Sequence, residues 1–336
     1  MKPILNKIAI IAGLSLLASC QSFFNEDPVY STTTDTFFNS ETALETYAIG
    51  FLESHLPSAA TLTRGDQYSD ICVTTQTEGF LKTGGYSAQQ ANNWARGNWR
   101  PLYNVNYYLK HMKDAAPYVD DATMKHYEGV GRFWRAWFYW DKVKTFGDVP
   151  WYAKPLGSAD PELKRPRDSR EFVMQRMIED IDFAIRYLPA ERDLYRVTKW
   201  TALALKSRFC LFEGTFRKYH SIDGYEHDWK WYLEQAADAA EEFITNSGYS
   251  LYTATGPATS YRDLFASENA QSVEVILARD YNSALGVFHN ANFYTISASY
   301  GKPGMTRKIV DSYLMADGSR FTDKAGWETM EFKQQC

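Results

Sequence analysis

Residues 58–98 bring together Arg64, Asp66, Tyr68, Asp70, Tyr86, Gln89, Asn92, Asn93 and Trp94 in a stretch without sustained hydrophobic period. Aromatic rings beside carboxylates, amides and a guanidinium on a loop suit noncovalent recognition of a polyhydroxylated ligand. The ring faces take its weakly apolar surfaces and the polar groups take its hydroxyls. Asp70, Tyr86, Asn93 and Trp94 are the candidate ligand-binding residues of this stretch. The competing reading is ordinary packing of a loop and a helix start. A second cluster, Phe288-His289-Asn290-Ala291-Asn292-Phe293-Tyr294, offers the same mixture and the same ambiguity. Each hydrogen bond of such a site contributes only about 0.5–1.5 kcal/mol net, so weak binding is expected.

Other chemistries find less support. The histidines (His55, His111, His126, His220, His227 and His289) are dispersed, and Cys20, Cys72, Cys210 and Cys336 match no metal or disulfide spacing. Asp317-Gly318-Ser319 with Asp323 lacks calcium-loop spacing. No metal or cofactor is therefore expected. A helical glycoside hydrolase would need two carboxylates about 5–10 Å apart in a cleft. The acidic residues here fall mostly on helix faces or at turns, Asp148 included, and no catalytic residue is assigned. With 36 Lys and Arg against 41 Asp and Glu, the net charge of −5 argues against nucleic acid as the main partner.

Most of the chain must be helix. Helices are predicted over 40–56, 94–116 with Pro101 delaying or kinking its start, 122–146 ended by Gly147, 168–188, 199–213 closed by Gly214, and 228–246 with Gly248 at its C-cap. In the fourth, Asp168 and Glu171 have capping-box spacing, and Glu179, Asp180 and Asp182 read as a solvated face. Residues 272–279, rich in Val and Ile, suit a strand. At the N-terminus, Lys2 and Lys7 precede an apolar run too short to span a bilayer, ending in Leu17-Ala18-Ser19-Cys20.

Residues 133–140 hold six aromatics around Arg135. On a helix they cover every side, as on an element sandwiched between others. Each ring buries about 150–250 Å², so exposing three would forfeit roughly 10 kcal/mol. The run is therefore read as core, and Arg135 as a structural residue that bridges neighbouring helices through a buried partner.

The same stretch resembles a known family. Arg135-Ala136, Tyr139 and Phe146-Gly147-Asp148-Val149-Pro150 resemble the "RA…Y…FGDVP" segment of the SusD/RagB outer-membrane lipoproteins of Bacteroidota. Similar stretches follow in order: Arg167–Pro189, Tyr195–Thr215, Trp231–Tyr249, Tyr261–Phe265 with Glu274-Val275-Ile276, and Pro303–Gly318. Leu17-Ala18-Ser19-Cys20 resembles a lipoprotein cleavage box, which makes Cys20 the lipidated residue. The resemblance implies a mainly α fold of tetratricopeptide-like helical repeats with a partial, irregular C-terminal region. Its expected division is a signal peptide over 1–19, a lipidated N-terminus and tether over 20–38, a helical repeat domain over 39–270, and the start of a C-terminal region over 271–336. It further implies a surface-exposed protein, anchored in the outer membrane by lipid. Such a protein binds a nutrient, most simply an oligosaccharide, and delivers it to a SusC-like TonB-dependent transporter. A scaffold or peptide binder of the same complex is the alternative. Relatives usually continue past the position of Cys336, so the chain looks truncated, and its uncovered helix faces are expected to make it poorly soluble.

Overall fold

The computed structural model describes residues 37–73, 93–222, 224–299 and 304–329. Helix α1 (Glu41–His55) begins where the Ser40 hydroxyl accepts the Ala43 N–H at 3.3 Å, and it ends before Pro57. A short α2 (Ala59–Arg64) follows. After a 3₁₀ turn over Arg96–Trp99 comes α3 (Arg100–His111), with Pro101 in its first turn, where a missing N–H breaks no helical bond. Asp120 caps α4 (Asp121–Phe146) by accepting the Thr123 N–H at 2.7 Å. Helices α5 (Arg170–Tyr187), α6 (Lys199–Tyr219) and α7 (Trp229–Asn246) complete the body. Beyond lie the short helices α8 (Ser260–Ala266), α9 (Ala291–Ile296) and α10 (Arg307–Asp311). One small antiparallel ladder joins β1 (Cys72–Val73) to β2 (Gly304–Met305).

Consecutive helices run antiparallel, as their contacts reveal. Along α3 and α4, Gly131 meets Leu109, Arg135 meets Asn106, and Phe138 meets Trp99. Along α4 and α5, Gly129 meets Leu188, Arg135 meets Asp180, and Val143 meets Arg170. Along α6 and α7, Lys199 meets Glu242, Ser207 meets Ala236, and Gly214 meets Leu233. In each pair one index rises as the other falls. This is a mainly α fold of tetratricopeptide-like helix pairs.

The aromatic run supplies much of the core: Phe133, Trp134, Phe138 and Tyr139 are buried, while Trp137 and Trp140 are only half-buried. The Trp140 ring carries Lys144 Nζ at 4.6 Å and the Arg208 guanidinium at 5.1 Å. A second interior feature is ionic. Arg170 donates to both Glu213 oxygens, and Arg217 bridges Glu213 (2.7 Å) and Glu171 (2.5 Å). Their guanidiniums lie over Phe216 at 3.9 Å and Tyr232 at 4.4 Å. Buried charges persist only when paired in this way.

Four local expectations need correction. Ser169, not Asp168, caps α5, its hydroxyl accepting the Phe172 N–H at 3.2 Å, because Asp168 is committed to Trp151 and Arg165. Helix α6 continues past Gly214 to Tyr219. That glycine is no terminator; its missing side chain lets α7 approach, and a Cβ there would lie 2.7 Å from Leu233. The acidic face 179–182 is not all solvated, since Asp180 is 2% exposed. Residues 272–279 form turns rather than a strand. The Glu274 and Val275 N–H groups return to Gln271 O, Val273 O accepts the Ser250 N–H at 2.9 Å, and Ala278 N–H goes to Leu194 O at 2.8 Å, so the backbone bonds are scattered over separate partners instead of forming a ladder.

Candidate functional site

The segment after α4 is shaped by the FGDVP residues. Gly147 adopts φ +71°, a conformation that L side chains rarely take, and turns the chain out of the helix. The Asp148 carboxylate then accepts the Arg170 N–H at 2.7 Å, satisfying a first-turn donor of α5. Buried Val149 pairs with Asp168 as an isolated antiparallel bridge. The Tyr139 hydroxyl donates to Pro150 O at 3.2 Å and accepts the Tyr152 N–H at 2.6 Å, with Trp151 stacked on its ring at 4.2 Å. Asp168 accepts the Trp151 N–H and binds Arg165, both at 2.7 Å. Asn106, on α3, donates to the carbonyls of Tyr152 (2.7 Å) and Lys154 (3.4 Å). Its own carbonyl accepts from Arg135 at 3.4 Å. Arg135 in turn holds Asp180 on α5 through bonds of 2.7 and 2.8 Å and lies 5.3 Å from the Trp151 ring. An irregular loop thus gains a fixed course from side chains of α3 and α4, with Asp180 on α5 holding Arg135 in place.

That loop and the start of α3 enclose a cleft of about 1100 Å³. Trp94, Trp99, Tyr103 and Tyr152 give it aromatic surface, Leu102, Leu156 and Leu163 aliphatic surface, and Asn106 closes part of its floor. Trp94 meets Trp99 (5.3 Å) and Phe146 (4.8 Å) edge to face, and the Arg167 guanidinium lies 4.7 Å from its ring. Tyr103 is the most open of the four rings, at 43% exposure. Buried Lys142 pins the rim. Its amine donates to Asn93 O at 2.6 Å and faces the rings of Phe138, Trp99 and Phe146, and burial lowers its pKa. Rings beside hydrogen-bonding groups in a preformed concavity can bind a sugar-like ligand. The carboxylates of the surrounding loop, Asp160, Glu162 and Asp168, are paired with Lys154 and Arg165.

Of the residues predicted from sequence, Trp94 lines this cleft. Asn93, at φ +79°, is turned toward α4, where its amide donates to Asp141 at 2.9 Å. Asp70 is elsewhere: exposed, it pairs with Lys308, whose hydrogen bond and charge hold its carboxyl below the usual range, while its carbonyl accepts from Thr306 at 2.7 Å. Tyr86 and Cys20 lie outside the described residues. In the 288–294 cluster, Phe288 and Phe293 are exposed and Arg64 lies 5.6 Å from the Tyr294 ring, apart from the cleft lining. Missed entirely were Arg96, Arg100, Tyr103, Lys154, Lys164, Arg165 and Arg167. The run Lys164-Arg165-Pro166-Arg167 was the available signal. Cys210 is buried and its thiol pKa is pushed up by burial, as for an inert filler. Among the described residues no group of His, Cys, Asp and Glu could hold a metal ion, and no helix is long and apolar enough to cross a membrane.

With this architecture in view, residues 23–211 match the SusD-like family described as "Starch-binding associating with outer membrane". The chain belongs to the SusD/RagB family. Among its relatives, SusD-like protein P25 of Formosa agariphila is 23% identical, over 78% of this chain and 49% of its own length. A SusD-like protein of Bacteroides fragilis is similar in structure, with TM-score 0.65 and 24% identity, over 88% of this chain and 57% of that one. So is a protein solved with a xylogluco-oligosaccharide, with TM-score 0.59 and 20% identity, over 82% and 56%. The chain spans about half the length of the curated relatives it matches. The helix-pair fold is common to these proteins, and of the FGDVP residues Pro150 lines the cleft while Gly147 and Asp148 set the course of the loop that follows.

Proposed function

We propose that this SusD-like protein is a noncatalytic carbohydrate-capture protein of the outer membrane. It binds an oligosaccharide in the cleft between residues 94–106 and 150–167 and passes it to a SusC-like TonB-dependent transporter. The observation that carries this reading is the preformed cleft, whose aromatic rings stand beside hydrogen-bonding groups on a loop fixed by Asp148, Asp168 and Asn106. The family's description as starch-binding, and the structural relative holding a xylogluco-oligosaccharide, support the ligand class. Trp94 and Tyr103 are the proposed stacking residues. Asn93 supports the rim through Lys142 and Asp141, and Arg135 and Asp148 act structurally.

In the same proposal residues 1–19 form a signal peptide and Cys20 carries the lipid. Residues 20–38 are the tether, 39–270 the repeat domain, and 271–336 the start of a C-terminal region. A glycan array with the 336-residue chain tests the ligand class. Retention of oligosaccharides, reduced by Trp94→Ala with Tyr103→Ala, is expected; failure to retain any saccharide contradicts it. Metabolic fatty-acid labelling tests the anchor, with incorporation expected and its persistence in Cys20→Ala contradicting the assignment.

A further inference from the structure

The cleft's charge is opposite to that of the whole chain. Arg96, Arg100, Lys154, Lys164, Arg165 and Arg167 line it, and among the described residues no carboxylate does, although the chain carries a net charge of −5. Two of the six cations are already matched: Lys154 pairs with Glu162 at 2.7 Å and Arg165 with Asp168 at 2.7 Å. Among the described residues no carboxylate forms an ion pair with Arg96, Arg100, Lys164 or Arg167, all of them exposed side chains. Arg167 also lies over Trp94, so positive charge adjoins the aromatic surface.

Several unmatched cations around one concavity repel each other, and low-dielectric walls focus their field into the space they share. A neutral sugar relieves none of that repulsion; an anion does. Guanidinium groups also match the planar oxygens of carboxylate and the oxygens of sulfate in paired hydrogen bonds, which hydroxyls cannot reproduce. We propose that the ligand of this cleft is an anionic oligosaccharide bearing uronate carboxylates or sulfate esters. Its sugar rings lie on Trp94 and Tyr103, and its charged groups on Arg96, Arg100 and Arg167. This rests on the carbohydrate reading above and adds the sign of the ligand's charge.

Matched pairs test it by titration calorimetry on the full chain: an oligogalacturonide against its carboxyl-reduced form, a sulfated dextran oligosaccharide against unsulfated dextran, and oligoglutamate as a non-sugar anion. Hydrogen bonds to charged groups are stronger than those to neutral ones, so the charged member of at least one pair is expected to bind about tenfold tighter or more. The advantage should shrink in high salt, and Arg96→Gln with Arg100→Gln should abolish it. Preference between the two pairs then distinguishes uronate from sulfate. Equal binding of charged and neutral members overturns the proposal and leaves the carbohydrate reading standing. Oligoglutamate binding as tightly as the charged sugar, unaffected by Trp94→Ala, overturns it in favour of a peptide. Absence of binding by every saccharide overturns both readings. The salt response of the wild-type chain needs no variant, so the test survives if the double substitution misfolds.

Discussion

Arg135→Met keeps much of the side chain's volume and removes its charge. Three hydrogen bonds disappear, two to Asp180 at 2.7 and 2.8 Å and one to Asn106 at 3.4 Å. Asp180 is left almost fully buried without its bidentate partner. Breaking a buried pair from one side costs about 3–5 kcal/mol, because the remaining charge stays desolvated. Here Arg132 Nη1 lies 3.5 Å from Asp180 and retains part of the compensation, which points to the lower end, about 3 kcal/mol. For a body of this size each kcal/mol moves the melting temperature by about 2–4 °C, so a circular-dichroism melt should fall by roughly 6–12 °C. Arg135→Met with Asp180→Leu removes both charges and should recover more than half of that loss, since a buried pair often exchanges for apolar groups at little cost. A single variant that melts with the wild type would refute the reasoning. So would a double variant less stable than the single one.

Glu213→Gln leaves Arg217 with Glu171 as its carboxylate and Arg170 buried with only the Val143 carbonyl, and a loss of about 3–5 kcal/mol should appear in urea unfolding. Two glycines should respond with opposite sign. Gly214→Ala forces a Cβ to 2.7 Å from Leu233 and 3.0 Å from the Trp229 carbonyl, costing about 1–3 kcal/mol. Gly129→Ala meets nothing nearer than 3.5 Å and should stabilise α4 by about 0.5–1 kcal/mol. Among the described residues the buried Nε2 of His55 has no hydrogen-bond partner, and burial lowers its pKa from 6.5 to about 4. Between those values the unfolded chain takes up a proton that the folded chain refuses. Stability should therefore fall with decreasing pH by about 1.4 kcal/mol per pH unit, and be unaffected by this group above 6.5. His55→Phe should flatten that part of the stability–pH curve; an unchanged slope would assign it to other groups.

What was legible in the sequence was mostly local. Ser40 before α1, Asp228 before α7 and Gly147 after α4 act through bonds spanning a few residues, which spacing alone exposes. The need of Arg135 for a partner followed from the aromatic residues around it. The identity of that partner did not, because Asp180 stands among other acids 45 residues away and only tertiary packing selects it. Residues 272–279 were misread because Val and Ile fit a half-buried turn on a helical body as well as a strand. The cleft was half legible. Trp94 was found through its aromatic type, whereas residues 150–167 have no period to mark them and take their course from Asn106, Tyr139 and Asp168. Tyr139, Asp148 and Asp168 fall within the family's stretches and support the loop, so the motif says more about the loop's shape than about the ligand.

Oxidative footprinting by mass spectrometry, with and without an oligosaccharide retained by the full chain, tests the central claim most directly. Protection is predicted at Trp94, Trp99, Tyr103 and Tyr152, with Phe288 and Phe293 unchanged. Protection at Phe288 and Phe293, with the four cleft rings as reactive as before, would contradict the account.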